Sequence, residues 1–219
     1  MDKIYGGFNM KGFYNSIRIK KDLVSFVAEN LRLIIMTASL LLGLILGAIV
    51  IRNGWFSDSF KISELFENFV AERSSDSVFK TVLGSLSTNF IYIAAAYFAG
   101  VFAFGVPVSL ALPLIKGIGV GWVCGYVYMA FGLKGVAFAM LIIIPNAFIS
   151  SLVLLHACTA AFGFSKKLFG IFFKDEVCHD FKLLFSKYSV KFLIFVLAMI
   201  FSSVIDAIMS GVFIGVFGL

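Results

Sequence analysis

The chain has 219 residues, 61% of them hydrophobic and only 14% charged, with a mean hydropathy of +1.03. Such a composition excludes a soluble domain and indicates an all-α integral membrane protein, with too little chain left over for a separate soluble domain. The net charge of +6 does not point to nucleic acid, because the basic residues gather in two clusters that flank apolar segments, the pattern that orients helices in a membrane.

Residues 1–30 are polar and basic. Within them Phe13, Tyr14, Ile17, Leu23, Val24 and Val27 recur at helical spacing, which predicts an interfacial, amphipathic, cytoplasmic helix. No small-residue cleavage pattern follows the first apolar run, so that run is expected to remain as an anchor. The membrane domain, 31–219, is expected to hold about five transmembrane helices, at 31–51, 89–104, 106–131, 135–162 and 191–216, the central ones interrupted by glycine and proline. Pro107 separates the second and third without a loop, because proline starts a helix at no cost and disfavours helix in the residue before it. A tight hairpin is predicted there.

Basic residues set the expected orientation. Lys3, Lys11, Arg18, Lys20, Lys21 and Arg32 precede or enter the first span, and Lys166, Lys167, Lys174, Lys182, Lys187 and Lys191 populate a basic loop at 163–190. Both regions are expected to be cytoplasmic, whereas the segment 52–88 balances Arg52, Lys61, Arg73 and Lys80 with five acids and is expected outside, as is the C-terminus. A re-entrant path for 106–131 or 135–162 would invert all that follows. In 52–88 two apolar faces, one with Phe66 and Phe69 and one with Val82 and Leu86, either lie along the membrane surface or pack on the bundle.

Ionisable residues inside spans are expensive and mark candidate sites. Three occur: Lys116 near mid-depth, His156 and Asp206. Lys116 is expected to face protein or a water-filled cavity. Asp206 could pair with it, or cap a helix break nearer the outer face. His156 is expected to bond a neighbouring carbonyl rather than relay protons. Pro145 frees a carbonyl in mid-span that the side chain of Asn146 could satisfy, so a kink is expected there. Broken helices serve transporters but also shape static bundles.

Glycines provide the other pattern. Gly43-x-x-x-Gly47, the ladder Gly117-Gly121-Gly125 and Gly211-x-x-x-Gly215 let helix backbones approach closely in lipid. At least one such face is expected inside the bundle, another being available for homo-oligomer or partner contacts. Catalytic patterns are missing: there is no H-E-x-x-H, no Walker lysine loop and no carboxylate dyad, and Ser150 or Ser151 with His156 lacks a glycine-rich nucleophile turn. Cys124, Cys158 and Cys178 are odd in number, and the His–Cys pairs supply too few ligands for a metal. No cofactor is expected, and the chain reads as a non-enzyme.

The run Gly105-Val106-Pro107-Val108, then Leu114-Ile115-Lys116-Gly117, Val120-Gly121, Gly132-Leu133-Lys134-Gly135 and Pro145-Asn146, resembles the core of the stage II sporulation protein M family. The likeness covers 31–165 and is sharpest over 106–146. That family reads proline-glutamine-asparagine at the kink, whereas here Asn146 follows Pro145 directly. The resemblance implies a membrane scaffold in the engulfment step of endospore formation, holding peptidoglycan-remodelling partners similar to stage II sporulation proteins D and P outside the membrane. Phe66 and Phe69 are then candidates for partner docking. The alternative reading is a small transporter or permease subunit with Lys116 lining a path.

Overall fold

The computed structural model describes residues 10–53, 78–173 and 180–217, with side chains at 30–53, 81–173 and 180–212. Phe66, Phe69 and Cys178 lie outside the described residues, as do the surroundings of Gly215. Apolar sequence in lipid must bond its own backbone, and among the described residues only helices and short turns occur. They are α1 (Met10–Arg52), α2 (Val78–Val101), α3 (Val106–Phe138), a π-helical turn (Ala139–Ile143), α4 (Ile144–Phe173) and α5 (Phe181–Phe217).

Four stretches are long and apolar enough to cross a membrane: Asn30–Arg52, Thr81–Val101, Val106–Phe173 and Phe181–Val212. The chain is a multi-pass, all-α membrane protein. The 68-residue third stretch is not one straight rod. At Gly132 the backbone takes φ 57° and ψ −131°, a left-handed conformation that L side chains rarely adopt. The helix folds back there, and Gly135 comes to rest so close to Val127 that a Cβ would strike the Val127 carbonyl oxygen. Val127, Phe138 and Ile142 form a small core inside this bend.

The tightest packing joins α1 to α3. A Cβ at Gly117 would strike the Leu40 carbonyl oxygen, one at Gly43 that of Leu114, one at Gly47 that of Ile118 and one at Gly121 that of Leu44. Residue numbers rise together along both helices, so the pair is parallel, and two of the glycine faces read from the sequence are the two halves of one contact. Ser39 adds a hydrogen bond to the Leu110 carbonyl at 2.9 Å. Gly211 is exposed, with nothing near the position of its missing Cβ.

Between α2 and α3 the chain turns at Phe102–Gly105. Pro107 stands in the first turn of α3, and a Cβ on Gly105 would collide with the Ala99 carbonyl. Ser165 of α4 clamps this turn: its hydroxyl donates to the Phe102 carbonyl at 2.7 Å and accepts from the Gly105 N–H at 3.1 Å. Nearby, Tyr188 of α5 stacks on Phe164 at 4.2 Å and on Tyr97 at 5.3 Å, and its hydroxyl donates to the Tyr97 carbonyl at 2.9 Å. This cluster ties α2, α4 and α5 at the end of the bundle where Arg32, Lys167 and Lys187 also lie.

Helix limits depart from the sequence reading at three places. α2 begins at Val78, eleven residues before the span start expected at Asn89; Ser87 and Thr88 lower the apparent hydropathy but return their hydroxyls to the carbonyls of Leu83 and Gly84 at 2.8 and 3.2 Å. α4 runs to Phe173 and α5 starts at Phe181, so most of the expected basic loop is helix. Long lysine stems keep their charge in water while the backbone continues helical beyond the apolar stretch.

Candidate functional site

The outer face of the bundle is apolar, with Ile45, Phe98, Leu197 and Phe201 among its exposed side chains, while polar residues are turned inward. On α2, Thr81, Ser85 and Asn89 recur every four residues and are all buried. On α5, Ser202, Asp206 and Ser210 do the same. Each set forms one stripe along its helix, because residues four apart lie one above the other. The α2 stripe and Asp206 border a cavity of about 520 Å³ that is also lined by Tyr92, Lys116, Asn146 and Ser150.

Lys116 reaches this cavity from α3 and is only 6% exposed. Its ammonium group donates to Asn89 Oδ1 at 2.9 Å and lies 5.0 Å from the centre of the Tyr92 ring, a cation–π distance. Lys116 therefore satisfies its charge on α2. Gly117, its neighbour, faces the other way and locks α3 against α1. One short segment of α3 thus presents a cation to one helix and a bare backbone to another.

Asp206, 2% exposed, accepts a hydrogen bond from Ser85. The direct pair with Lys116 weighed from the sequence is replaced by two bonds to α2, at Ser85 and Asn89, one turn apart. Asp206 does not cap a helix break, since α5 is continuous around it.

Pro145 lacks an N–H, so the bond it would have made to the preceding turn is absent, and that turn widens into the π-helical segment Ala139–Ile143. The irregularity expected at Pro145 thus falls just before it. Asn146 Oδ1 accepts from Ser202 of α5 at 2.8 Å. The bend delivers an amide to the cavity wall.

His156 lies elsewhere. Its Nδ1 meets the Leu152 carbonyl at 2.8 Å, and the ring lines a second cavity, whereas Ser150 faces the first and donates to the Ala147 carbonyl at 3.3 Å. The serine–histidine pairing considered from the sequence is not assembled. Gly125 contacts Ala48 and Ile51 at 3.6 Å, ordinary packing distance. Cys158 is buried and Cys124 half-buried, both free. Among the described residues no three His, Cys, Asp or Glu side chains converge to hold a metal ion.

Sequence reasoning missed Ser85, Asn89, Tyr92 and Ser202. For Ser85, Asn89 and Ser202 the signal was the four-residue recurrence of polar side chains in α2 and α5; Tyr92 carried none.

The family model for stage II sporulation protein M matches residues 33–217. The chain belongs to the stage II sporulation protein M family. The match takes in every residue around the cavity and, beyond the likeness read from the sequence, the whole of α5 up to Phe217. Membership makes this a sporulation-related membrane protein. No curated protein and no solved structure matches the chain. For this stage II sporulation protein M family member, the arrangement of the cavity can fix the register of four helices: Lys116 with Asn89 ties α3 to α2, Asp206 with Ser85 ties α5 to α2, and Asn146 with Ser202 ties α4 to α5.

Proposed function

We propose that this protein is a non-enzymatic membrane scaffold that holds peptidoglycan-remodelling enzymes in place during engulfment. The observation that carries the reading is the pairing of buried polar groups across helices: Lys116 with Asn89, Asp206 with Ser85 and Asn146 with Ser202 join α2, α3, α4 and α5, which suits a rigid platform. The interlocked glycine faces of α1 and α3 support the same reading, since helices in backbone contact resist sliding. The chain crosses the membrane five times in this reading, α3 and α4 forming separate passes around Gly132, with the N-terminus cytoplasmic and the C-terminus outside. Partners similar to stage II sporulation proteins D and P dock on the outer side, with Phe66 and Phe69 in the contact.

Tagged protein, cross-linked briefly in sporulating cells and purified in mild detergent, is expected to bring wall hydrolases with extracytoplasmic domains. Phe66→Ser with Phe69→Ser is expected to release them while the protein stays in the membrane. Copurification of an ATP-binding subunit instead would overturn the scaffold.

One observation favours a second reading, a small transporter or permease subunit: Lys116 lines a cavity of about 520 Å³ within the bundle. Under that reading Lys116→Met abolishes flux and spares assembly; under the scaffold reading it lowers abundance and spares partner binding.

A further inference from the structure

The second cavity, about 900 Å³, opens at the end of the bundle where α4 gives way to α5. Four cations converge on it from three helices: Arg32 of α1, Lys167 of α4, and Lys187 and Lys191 of α5. Asp180 is the one acid among its described lining residues. Arg32 is held against α4, its guanidinium 5.9 Å from the centre of the Phe162 ring, in a space left by Gly163, where a Cβ would come within 3.1 Å of its nitrogen. Lys187 and Lys191 are one turn apart on a helix fixed from behind by the buried Tyr188. Like charges gathered on rigid backbone repel one another, and an anion among them relieves the repulsion.

The shape of the cavity discriminates between anions. On α4 its lining runs from Lys167 down to His156, about 16 Å of helix. The polar groups at the deep end are turned onto their own helix: Thr159 donates to the Leu155 carbonyl at 2.7 Å and His156 Nδ1 meets the Leu152 carbonyl at 2.8 Å. What remains there is Ala160 and Phe195, an apolar wall beyond the cations. Free phosphate uses only the cations. A phospholipid uses both.

We propose that this cavity binds the phosphate headgroup of an anionic phospholipid, with part of an acyl chain against the deeper wall. Arg32, Lys167, Lys187 and Lys191 receive the phosphodiester, as basic pockets between membrane helices do. The site is independent of the scaffold reading, since it needs no protein partner.

The test uses the full chain in detergent, with phosphatidylglycerol, phosphatidylcholine and inorganic phosphate as separate probes and native mass spectrometry as the readout. Wild-type protein is expected to retain phosphatidylglycerol in preference to phosphatidylcholine. Each basic residue at an anionic lipid contributes about fivefold, so Lys187→Gln with Lys191→Gln weakens retention on the order of 25-fold. The control, Lys166→Gln with Lys182→Gln, removes the same charge from exposed lysines outside the cavity and is expected to change retention less than about threefold. Arg32→Gln provides an independent variant from another helix, and circular dichroism verifies that each one is folded. Equal retention of the two lipids, or an equal loss in the control, overturns the site. Inorganic phosphate that displaces the lipid from wild type, and is itself lost in the Lys187/Lys191 variant, overturns the lipid in favour of a free phosphate.

Discussion

Lys116 and Asp206 stand on different helices yet meet α2 at residues one turn apart, the lysine donating to Asn89 and the aspartate accepting from Ser85. Two opposite charges are thus joined through a third helix, with no direct contact required. Three helices share one register because their polar side chains can be satisfied only in it.

Asn89→Leu removes the hydrogen-bond acceptor of Lys116, leaving its buried ammonium group with the Tyr92 ring. The variant is expected to lose about 1–3 kcal/mol of stability, measured by unfolding in mixed micelles. Asn89→Leu with Lys116→Met should recover part of that loss, since neither polar group is then left unpaired. Strict additivity of the two substitutions would show that the pair is not coupled.

Gly117→Ala and Gly121→Ala drive a methyl group into the backbone of α1, so each is expected to cost about 1–3 kcal/mol in the same measurement. Gly119→Ala, between them in sequence, meets nothing within 4 Å and should be nearly neutral. Equal effects at all three would contradict the face-to-face packing of α1 and α3.

Ser165→Ala removes the hydroxyl whose hydrogen bonds to Phe102, Ala103 and Gly105 clamp the α2–α3 turn. A loss of about 1–2 kcal/mol is expected, with faster protease cleavage near Phe104. Unchanged cleavage would mean that Pro107 and Gly105 hold the turn without the clamp.

The proposed five-crossing topology puts Leu133, at the Gly132 bend, on the opposite side from Lys182. In a background with Cys124, Cys158 and Cys178 replaced by alanine, Leu133→Cys should react with a membrane-impermeant maleimide in intact cells. Lys182→Cys should react only after permeabilisation. Labelling of both from the same side would mean that 135–162 dips in and returns without crossing.

The all-helical membrane fold and the family were legible because hydropathy and glycine spacing are local properties of the chain. Gly43, Gly117 and Gly121 advertise close approach whatever they approach; that they approach one another depends on how α1 and α3 are rotated, which no window of sequence contains. Gly132 and Gly135 separate the third and fourth expected segments and sit at the observed fold-back. The cavity was half legible. Lys116, Asp206 and Asn146 stand out as costly residues in apolar runs, but Ser85, Asn89 and Ser202 are ordinary in composition and become significant only when α2 and α5 turn them toward Asp206, Lys116 and Asn146. The first turns of α2 escaped the hydropathy reading for a related reason: Thr81, Ser85 and Asn89 are polar yet turned inward.

The parallel pairing of α1 with α3 has a consequence for how the protein is made. Ser39 and Leu110, which bond across the pair, are 71 residues apart in the chain. At 5–20 residues per second the ribosome needs on the order of 4–14 s to supply the second helix after the first. During that interval the bare backbone of Gly43 and Gly47 has no mate and must be sheltered by lipid or by the insertion machinery, so biogenesis of this protein requires α1 to wait.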